Sequence, residues 1–441
     1  MVAGAGCGVV SISLAVRGEV CGPMPLAWGQ SAIWTAIGRY VPNDHYFNFA
    51  RVLVLPDKVR PAPVGRVVAA LESLVSRHSS LRTRIVPGDS GTVWQLADGE
   101  GRMPVVIGED ADSLAAQLSG PRFDYTCEYP LRVGLVVEGG GAVKAVVLAF
   151  CHLAADGHGA DIVVRDLRLA LLGRTGPEPG SVAETVAHQR SERGRAQSDA
   201  VVKFWVDTYR RMPVSMFPTR RAEPQEVRYW VARLTSPALE LACQALAERH
   251  RVSTTAVLMA ATASVVCADG GQPIAVILPI VSNRFAPEHR DLVTTLSQEG
   301  LFVLDTCQAG SFGELVVRAW QASLRAYRVG LCDPDALEAA LARVSQERGE
   351  TVHPYCCFND MRLAEQARRA VTADEVRAAK PLTALEWAPP QARVNCRFCV
   401  HVTREGEALV VKLTGDTAYL PPDRLMAMLS TLEGTVVGAV G

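Results

Sequence analysis

Two apolar runs, Leu131–Glu138 and Val143–Phe150, flank Gly139-Gly140-Gly141, and nothing else in the chain restricts its fold so tightly. Each run is short, rich in Val and Leu and barely interrupted by charge, as a strand covered on both faces would be. The glycines between them fit a hairpin turn, where the backbone must enter conformations that side chains resist. A second pair, Arg397–Thr403 and Ala408–Leu413, brackets Arg404-Glu405-Gly406. A helical pattern follows each pair: Asp161–Leu172 after the first and Pro422–Val436 after the second. A chain that ends strand–strand–helix twice predicts two similar halves.

The rest of the sequence agrees. Arg51–Leu55, Trp94–Leu96, Val105–Ile107, Val227–Leu234 and Ile274–Leu278 read as strands. Val64–His78, Ser113–Leu118, Pro237–His250, Thr254–Val266, Phe312–Tyr327 and Asp335–Glu347 read as helices. The first of these carries a stripe of Val67, Val68, Leu71, Leu74 and Val75. Gly173–Gly180 holds two prolines and three glycines, and a charged stretch continues to Ala200. That is where a linker is expected, with Arg190–Arg195 on a solvated face. The fold class expected is α/β (α+β), with a lobe at 1–175, a linker at 176–200 and a lobe at 201–441.

Composition excludes several functions. Lys+Arg total 45 against 46 Asp+Glu, a net charge of −1, so no basic field attracts nucleic acid or an anionic membrane. Hydrophobic residues make up 49%, which is globular rather than disordered. No run reaches the ~18 apolar residues of a membrane helix. No basic segment opens the chain, and Val9–Val16 alternates like a strand. The 12 cysteines lie largely in apolar runs, where a thiol acts as a small hydrophobe. These features predict a reduced, cytoplasmic protein without a disulfide framework. Cys396 and Cys399 read as strand residues on opposite faces, and no second Cys/His pair accompanies them or Cys356-Cys357. No metal site is expected.

One segment carries chemistry. Cys151-His152-Leu153-Ala154-Ala155-Asp156-Gly157-His158-Gly159 follows the strongest strand and precedes a helix. A histidine near its ordinary pKa of about 6.5 is mostly neutral at pH 7 and can accept a proton from a nucleophile. Asp156 can orient the ring, or bind an arginine and brace the loop. Gly157 reads as a turn residue that a side chain would forbid.

The segment, with its neighbours, resembles the condensation domains of nonribosomal peptide synthetases, relatives of chloramphenicol acetyltransferase and of CoA-dependent acyltransferases. The family signature His-His-x-x-x-Asp-Gly places its second histidine on His152. Further blocks follow in family order: Pro25–Trp34, Tyr46-Phe47-Asn48, Arg77-His78-Ser79-Ser80-Leu81-Arg82-Thr83, Arg122-Phe123-Asp124-Tyr125 with Pro130-Leu131-Arg132, and Phe204-Trp205. Ser282-Asn283-Arg284 and Gly300-Leu301-Phe302 match more loosely. The chain departs from the family at Cys151, which replaces the first histidine, at Gly159, and around Ser297–Phe302.

The resemblance implies two chloramphenicol-acetyltransferase-like mixed-sheet lobes forming a V, with the active site in a tunnel between them. It implies an acyltransferase that joins a thioester-activated acyl or aminoacyl group to an amine or hydroxyl acceptor in natural-product biosynthesis, giving an amide or ester. His152 would be general base or nucleophile positioner. Asp156 would be structural, paired with Arg284. Cys151, His158, Ser297 and Gln298 are candidates for the channel or for oxyanion contacts, and Arg77-His78 for fold support. No cofactor is bound; the substrate is a thioester on a carrier protein's phosphopantetheine arm, or on CoA. The partners implied are acyl or peptidyl carrier proteins and a small-molecule acceptor. Such units are often monomeric. Three alternatives stand beside this reading: an acyl-CoA-dependent acyltransferase, a catalytically silent docking module, and an epimerisation-type relative.

Overall fold

The computed structural model describes residues 12–88, 92–139, 141–223, 226–362, 369–391 and 396–441. It divides into two compact units. The first holds residues up to Ala196 together with Ser282–Ser297; the second holds Gln197–Val281 and Gln298–Gly441.

In the first unit the strands are β1 (Ile12–Arg17), β2 (Cys21–Pro25), β3 (Phe49–Val54), β4 (Ala62–Pro63), β5 (Thr83–Pro87), β6 (Val93–Ala97), β7 (Glu100–Gly108), β8 (Leu131–Val137) and β9 (Ala142–Phe150). The helices are α1 (Trp28–Tyr40), α2 (Val64–Arg77), α3 (Ala111–Ser119), α4 (Gly157–Leu171) and α5 (Val182–Arg190); α6 (Glu192–Tyr209) carries the chain into the second unit. A mixed sheet runs β1-β7-β8-β9-β3, with β4 also on β9, and β2-β6-β5 forms a smaller sheet. Only the β7–β8 pairing of the larger sheet is parallel. β8 and β9 form its centre as an antiparallel pair, Leu131 facing Phe150. Their residues are almost all buried because α2 and α4 cover one face and α3 the other. In the hairpin between them, Gly141 takes φ +83°, and its N–H donates to the Glu138 carbonyl at 3.0 Å. Gly140 lies outside the described residues, as do Val9–Ser11 of the expected first strand.

The second unit contains β10 (Tyr229–Ser236), β11 (Ile274–Val281), β12 (Gln298–Glu299), β13 (Phe302–Asp305), β14 (Cys356–Asp360), β15 (Ala384–Gln391), β16 (Phe398–Glu405) and β17 (Ala408–Asp416). Its helices are α7 (Pro237–His250), α8 (Thr254–Gly270), α9 (Phe312–Arg328), α10 (Pro334–Arg348), α11 (Ala373–Ala379) and α12 (Pro422–Gly438). The strand order is β12-β11-β14-β16-β17-β10-β15, with β13 also on β11. β14 runs parallel to both its neighbours. α8 is apolar all round and almost wholly buried, as a helix at the centre of a core must be.

Two expectations change. The stretch read as a linker, 176–200, is largely helical: Ser181 caps α5 by accepting from the Glu184 N–H at 3.2 Å, and α6 begins at Glu192. The proline–glycine run before it masked two amphipathic helices of low hydrophobicity. The cysteine expectation also fails. Cys357 and Cys399 are register partners on β14 and β16 and are joined, the one disulfide among the described residues. Cys396 precedes β16, so strand alternation does not bind it, and its sulfur lies within 4.8 Å of the other two. Among the described residues, no single helix is long and apolar enough to cross a membrane.

Candidate functional site

β9 ends at Phe150, and six residues turn the chain into α4. Asp156 makes that turn possible. It is the N-cap of α4, and its Oδ1 accepts from the Gly159 N–H at 2.8 Å. Its other oxygen gathers a second segment: Oδ2 accepts from Arg284 Nη1 at 2.9 Å and from the N–H groups of Leu296 at 3.1 Å and Ser297 at 3.2 Å. Arg284 in turn donates to the carbonyls of Ser282, Leu292 and Thr294 at 3.1–3.2 Å. Asn283 sits at φ +56° and donates to the Leu296 carbonyl at 2.9 Å. One buried ion pair therefore folds residues 282–297 onto themselves and fastens them to the start of α4.

That fastening places Thr295 against His152. The Thr295 hydroxyl donates to the His152 carbonyl, and its oxygen lies 3.3 Å from Nδ1. A hydroxyl has one proton, and here it is used on the carbonyl, so toward the ring Thr295 can only accept. Nδ1 therefore carries the ring hydrogen, and Nε2 presents a lone pair. The oxygen at Nδ1 is this hydroxyl, not the Asp156 carboxylate. Burial lowers the His152 pKa from its ordinary value, and the Phe49 ring lies edge-on at 5.6 Å. At neutral pH the ring is a neutral acceptor.

The loop between them is held from below. Gln30, on α1, donates to the Leu153 carbonyl at 3.2 Å and exchanges hydrogen bonds with Gln95 at 2.8–3.0 Å. Gly29 beside it allows close approach: a Cβ there would stand 2.4 Å from the Thr295 carbonyl oxygen. Trp28-Gly29-Gln30 thus supports both the histidine loop and the segment that carries Thr295. Arg77 and His78 fix α4 from its far end through Asp166, His78 Nε2 lying 3.0 Å from the carboxylate. Against the burial that would raise it, His78 and Arg165 hold that carboxyl below its usual range.

The other candidates separate. Cys151 is buried beneath the loop among Leu26, Ile85, Phe123 and Leu153, and burial pushes its thiol up to about 12. It packs as a hydrophobe and does not offer a thiolate. Burial, and then the charge of Arg284, lowers the pKa of His158, which is half-exposed at the start of α4. The backbone N–H of Ser297 is taken by Asp156. Gln298 belongs to the second unit, where its amide pairs both ways with the Cys332 backbone at 3.0 Å. Its carbonyl oxygen and one of its two N–H donors are thereby engaged within the second unit. Gly157 departs from the sequence expectation. It lies outside the left-handed region, and a Cβ there would meet only Arg51 Nη2 at 3.5 Å. Gly159 is the tighter position, with the Thr294 carbonyl oxygen 3.2 Å from a would-be Cβ.

Thr295, Gly29 and Gln30 are the residues that sequence reasoning did not assign to the site. Gln30 and Gly29 lie inside the Pro25–Trp34 motif, whose pattern gives neither a role. Thr295 gave no signal: it is 143 positions from His152 and meets it only because Asp156 and Arg284 pair.

Comparison with known proteins gives one pattern. The family model described as "Condensation domain" matches residues 22–303. A protein described as a probable non-canonical nonribosomal peptide synthetase, CymA of Salinispora arenicola, is 28% identical over 321 residues, covering 69% of this chain and 4% of that protein. The dimodular nonribosomal peptide synthase of Bacillus subtilis is 28% identical over 335 residues, 70% of this chain and 14% of the synthase. The chain thus spans a small part of each relative's length. Among solved structures, the condensation domain that mediates chain release from the enacyloxin polyketide synthase superposes with a TM-score of 0.74 at 17% identity, covering 95% of this chain and 84% of that one. That likeness concerns the fold.

Proposed function

Because the chain belongs to the condensation-domain family, we propose that it joins an acyl or aminoacyl thioester, held on the phosphopantetheine arm of a carrier protein, to an amine or hydroxyl acceptor in a cytoplasmic biosynthetic pathway. The acceptor's nitrogen or oxygen attacks the thioester carbonyl carbon, with His152 Nε2 taking its proton. As the tetrahedral adduct collapses the C–S bond breaks, and the protonated imidazole returns that proton to the leaving thiolate. Amide or ester and free thiol are the products. The thioester supplies the driving force, so the reaction needs neither metal nor nucleotide.

The observation that carries this reading is the Thr295 hydroxyl, which bonds the His152 carbonyl and stands 3.3 Å from Nδ1. Thr295 occupies Nδ1, and burial keeps the ring neutral, so Nε2 is the basic atom at physiological pH. Asp156 and Arg284 hold the loop and Thr295 in place. They are positioning residues.

The test follows intact-protein mass of a loaded carrier protein mixed with candidate amines, with acyl-CoA as the alternative donor. Wild type should deplete the loaded carrier, and His152→Ala should slow it by ~10²–10⁴-fold, or ~3–5.5 kcal/mol. A much smaller loss would make His152 a positioner of the nucleophile. Turnover of acyl-CoA alone would move the donor to free CoA. Carrier binding without turnover in either protein would identify a docking module and refute the proposal.

A further inference from the structure

The reaction above leaves the cysteines of the second unit unused. β14 and β16 run parallel in the middle of the large sheet, and Cys357 faces Cys399 with Cα atoms 4.6 Å apart. Cys396 stands two residues ahead of β16, partly exposed, while Cys357 and Cys399 are buried. All three sulfurs fall within 4.8 Å of one another. The structure bonds Cys357 to Cys399 and leaves Cys396 free beside the bond.

We propose that, once the Cys357–Cys399 bond is reduced, Cys357, Cys396 and Cys399 form a three-thiolate site for a soft d10 cation of the Zn2+ class. Reduction by a dithiol transfers two electrons and two protons to the pair and leaves the reductant as its own disulfide. Binding then releases three thiol protons as three metal–sulfur bonds form. With zinc–sulfur bonds of about 2.3 Å, three ligands around one ion lie about 3.8–4.0 Å apart. Turning Cys357 and Cys399 about their Cα–Cβ bonds opens that separation without moving either strand. Cys396, already beside both, closes the triangle. The donor set is all sulfur, which selects zinc, cadmium or Cu+ over magnesium or calcium. The partly exposed Cys396 gives the ion a way in and leaves a fourth position for water. Two neighbouring parallel strands and the chain entering one of them would then be clamped by a single ion.

The test uses the whole chain, reduced under anaerobic conditions and titrated with Cd2+ as the probe. The thiolate-to-cadmium charge-transfer band should saturate at one ion per chain, and Zn2+ should compete for it. Three fewer thiols should alkylate in the loaded protein than after chelation. Cys396→Ser should weaken binding by more than about tenfold, whereas Cys127→Ser, at an exposed thiol of the first unit, should not. Far-UV circular dichroism checks that Cys396→Ser folds, and the alkylation count on wild type does not depend on that variant. Binding unchanged by Cys396→Ser, or three thiols that stay reactive under cadmium, would overturn the proposal. So would a Cys357–Cys399 bond that survives the reductant, since its sulfurs would not be available.

Discussion

Replacing Asp156 with alanine tests the central geometric claim, that one carboxylate joins the histidine loop to residues 282–297. The side chains of Asp156 and Arg284 are only 6% and 4% exposed. Removing the carboxylate leaves a buried guanidinium without its anion and orphans the N–H groups of Gly159, Leu296 and Ser297. Breaking a buried ion pair from one side costs ~3–5 kcal/mol. The lost helix cap, worth ~1 kcal/mol alone, belongs to the same carboxylate and does not simply add. With a urea slope of about 2 kcal/mol/M, the unfolding midpoint should fall by roughly 2 M. Fluorescence-monitored urea unfolding measures it, alongside acyl transfer. Asp156→Ala combined with Arg284→Met should cost clearly less than the sum of the two single changes, because no unpaired charge is left behind. A loss below ~1 kcal/mol, or strict additivity in the double variant, would refute the reasoning.

Other outcomes follow from the same contacts. Burial depresses the His152 pKa, so kcat/KM should hold level through neutral pH and fall only below about pH 6.5. The native state then binds fewer protons than the unfolded chain. The stability that His152 contributes is present above about pH 6.5 and is lost as pH falls. Thr295→Val removes the acceptor at Nδ1 and frees the tautomer; a loss of about fivefold in kcat, or ~1 kcal/mol, is expected with a displaced acid limb in the pH–rate profile. Gly29→Val drives a side chain into the Thr295 carbonyl oxygen. Overpacking of this kind costs ~1–3 kcal/mol, so thermal unfolding should shift downward and acyl transfer should drop with it.

The elements that sequence made legible are those whose pattern is local. β8, β9 and α2 needed only apolar spacing, and each lies within two residues of its expected bounds. α4 begins at Gly157 rather than 161, because its start is set by the Asp156 cap and not by its apolar stripe. α1 was visible only as a motif: its outer surface is mixed, and what matters is that Gly29 and Gln30 face the loop. β14 is five residues long and reads as a pair of cysteines, so its place between β11 and β16 was not legible. His152 was found because a strand end, a histidine and a carboxylate are adjacent in the chain. Thr295 was not, because the contact is made by folding. Cys396 and Cys399 would face opposite sides of a continuous strand, but β16 begins at Phe398, so strand alternation does not govern Cys396.

Residues 282–297 are encoded in the middle of the second unit yet are structurally part of the first. A gene fragment that stops at residue 196 would therefore express His152 without Thr295, and Asp156 without Arg284. Recombination has the same difficulty: no single crossover transplants this unit intact into another condensation domain. An exchange needs junctions near 196 and at each end of 282–297, and a chimaera made with a single cut inherits a mismatched arginine loop from its other parent.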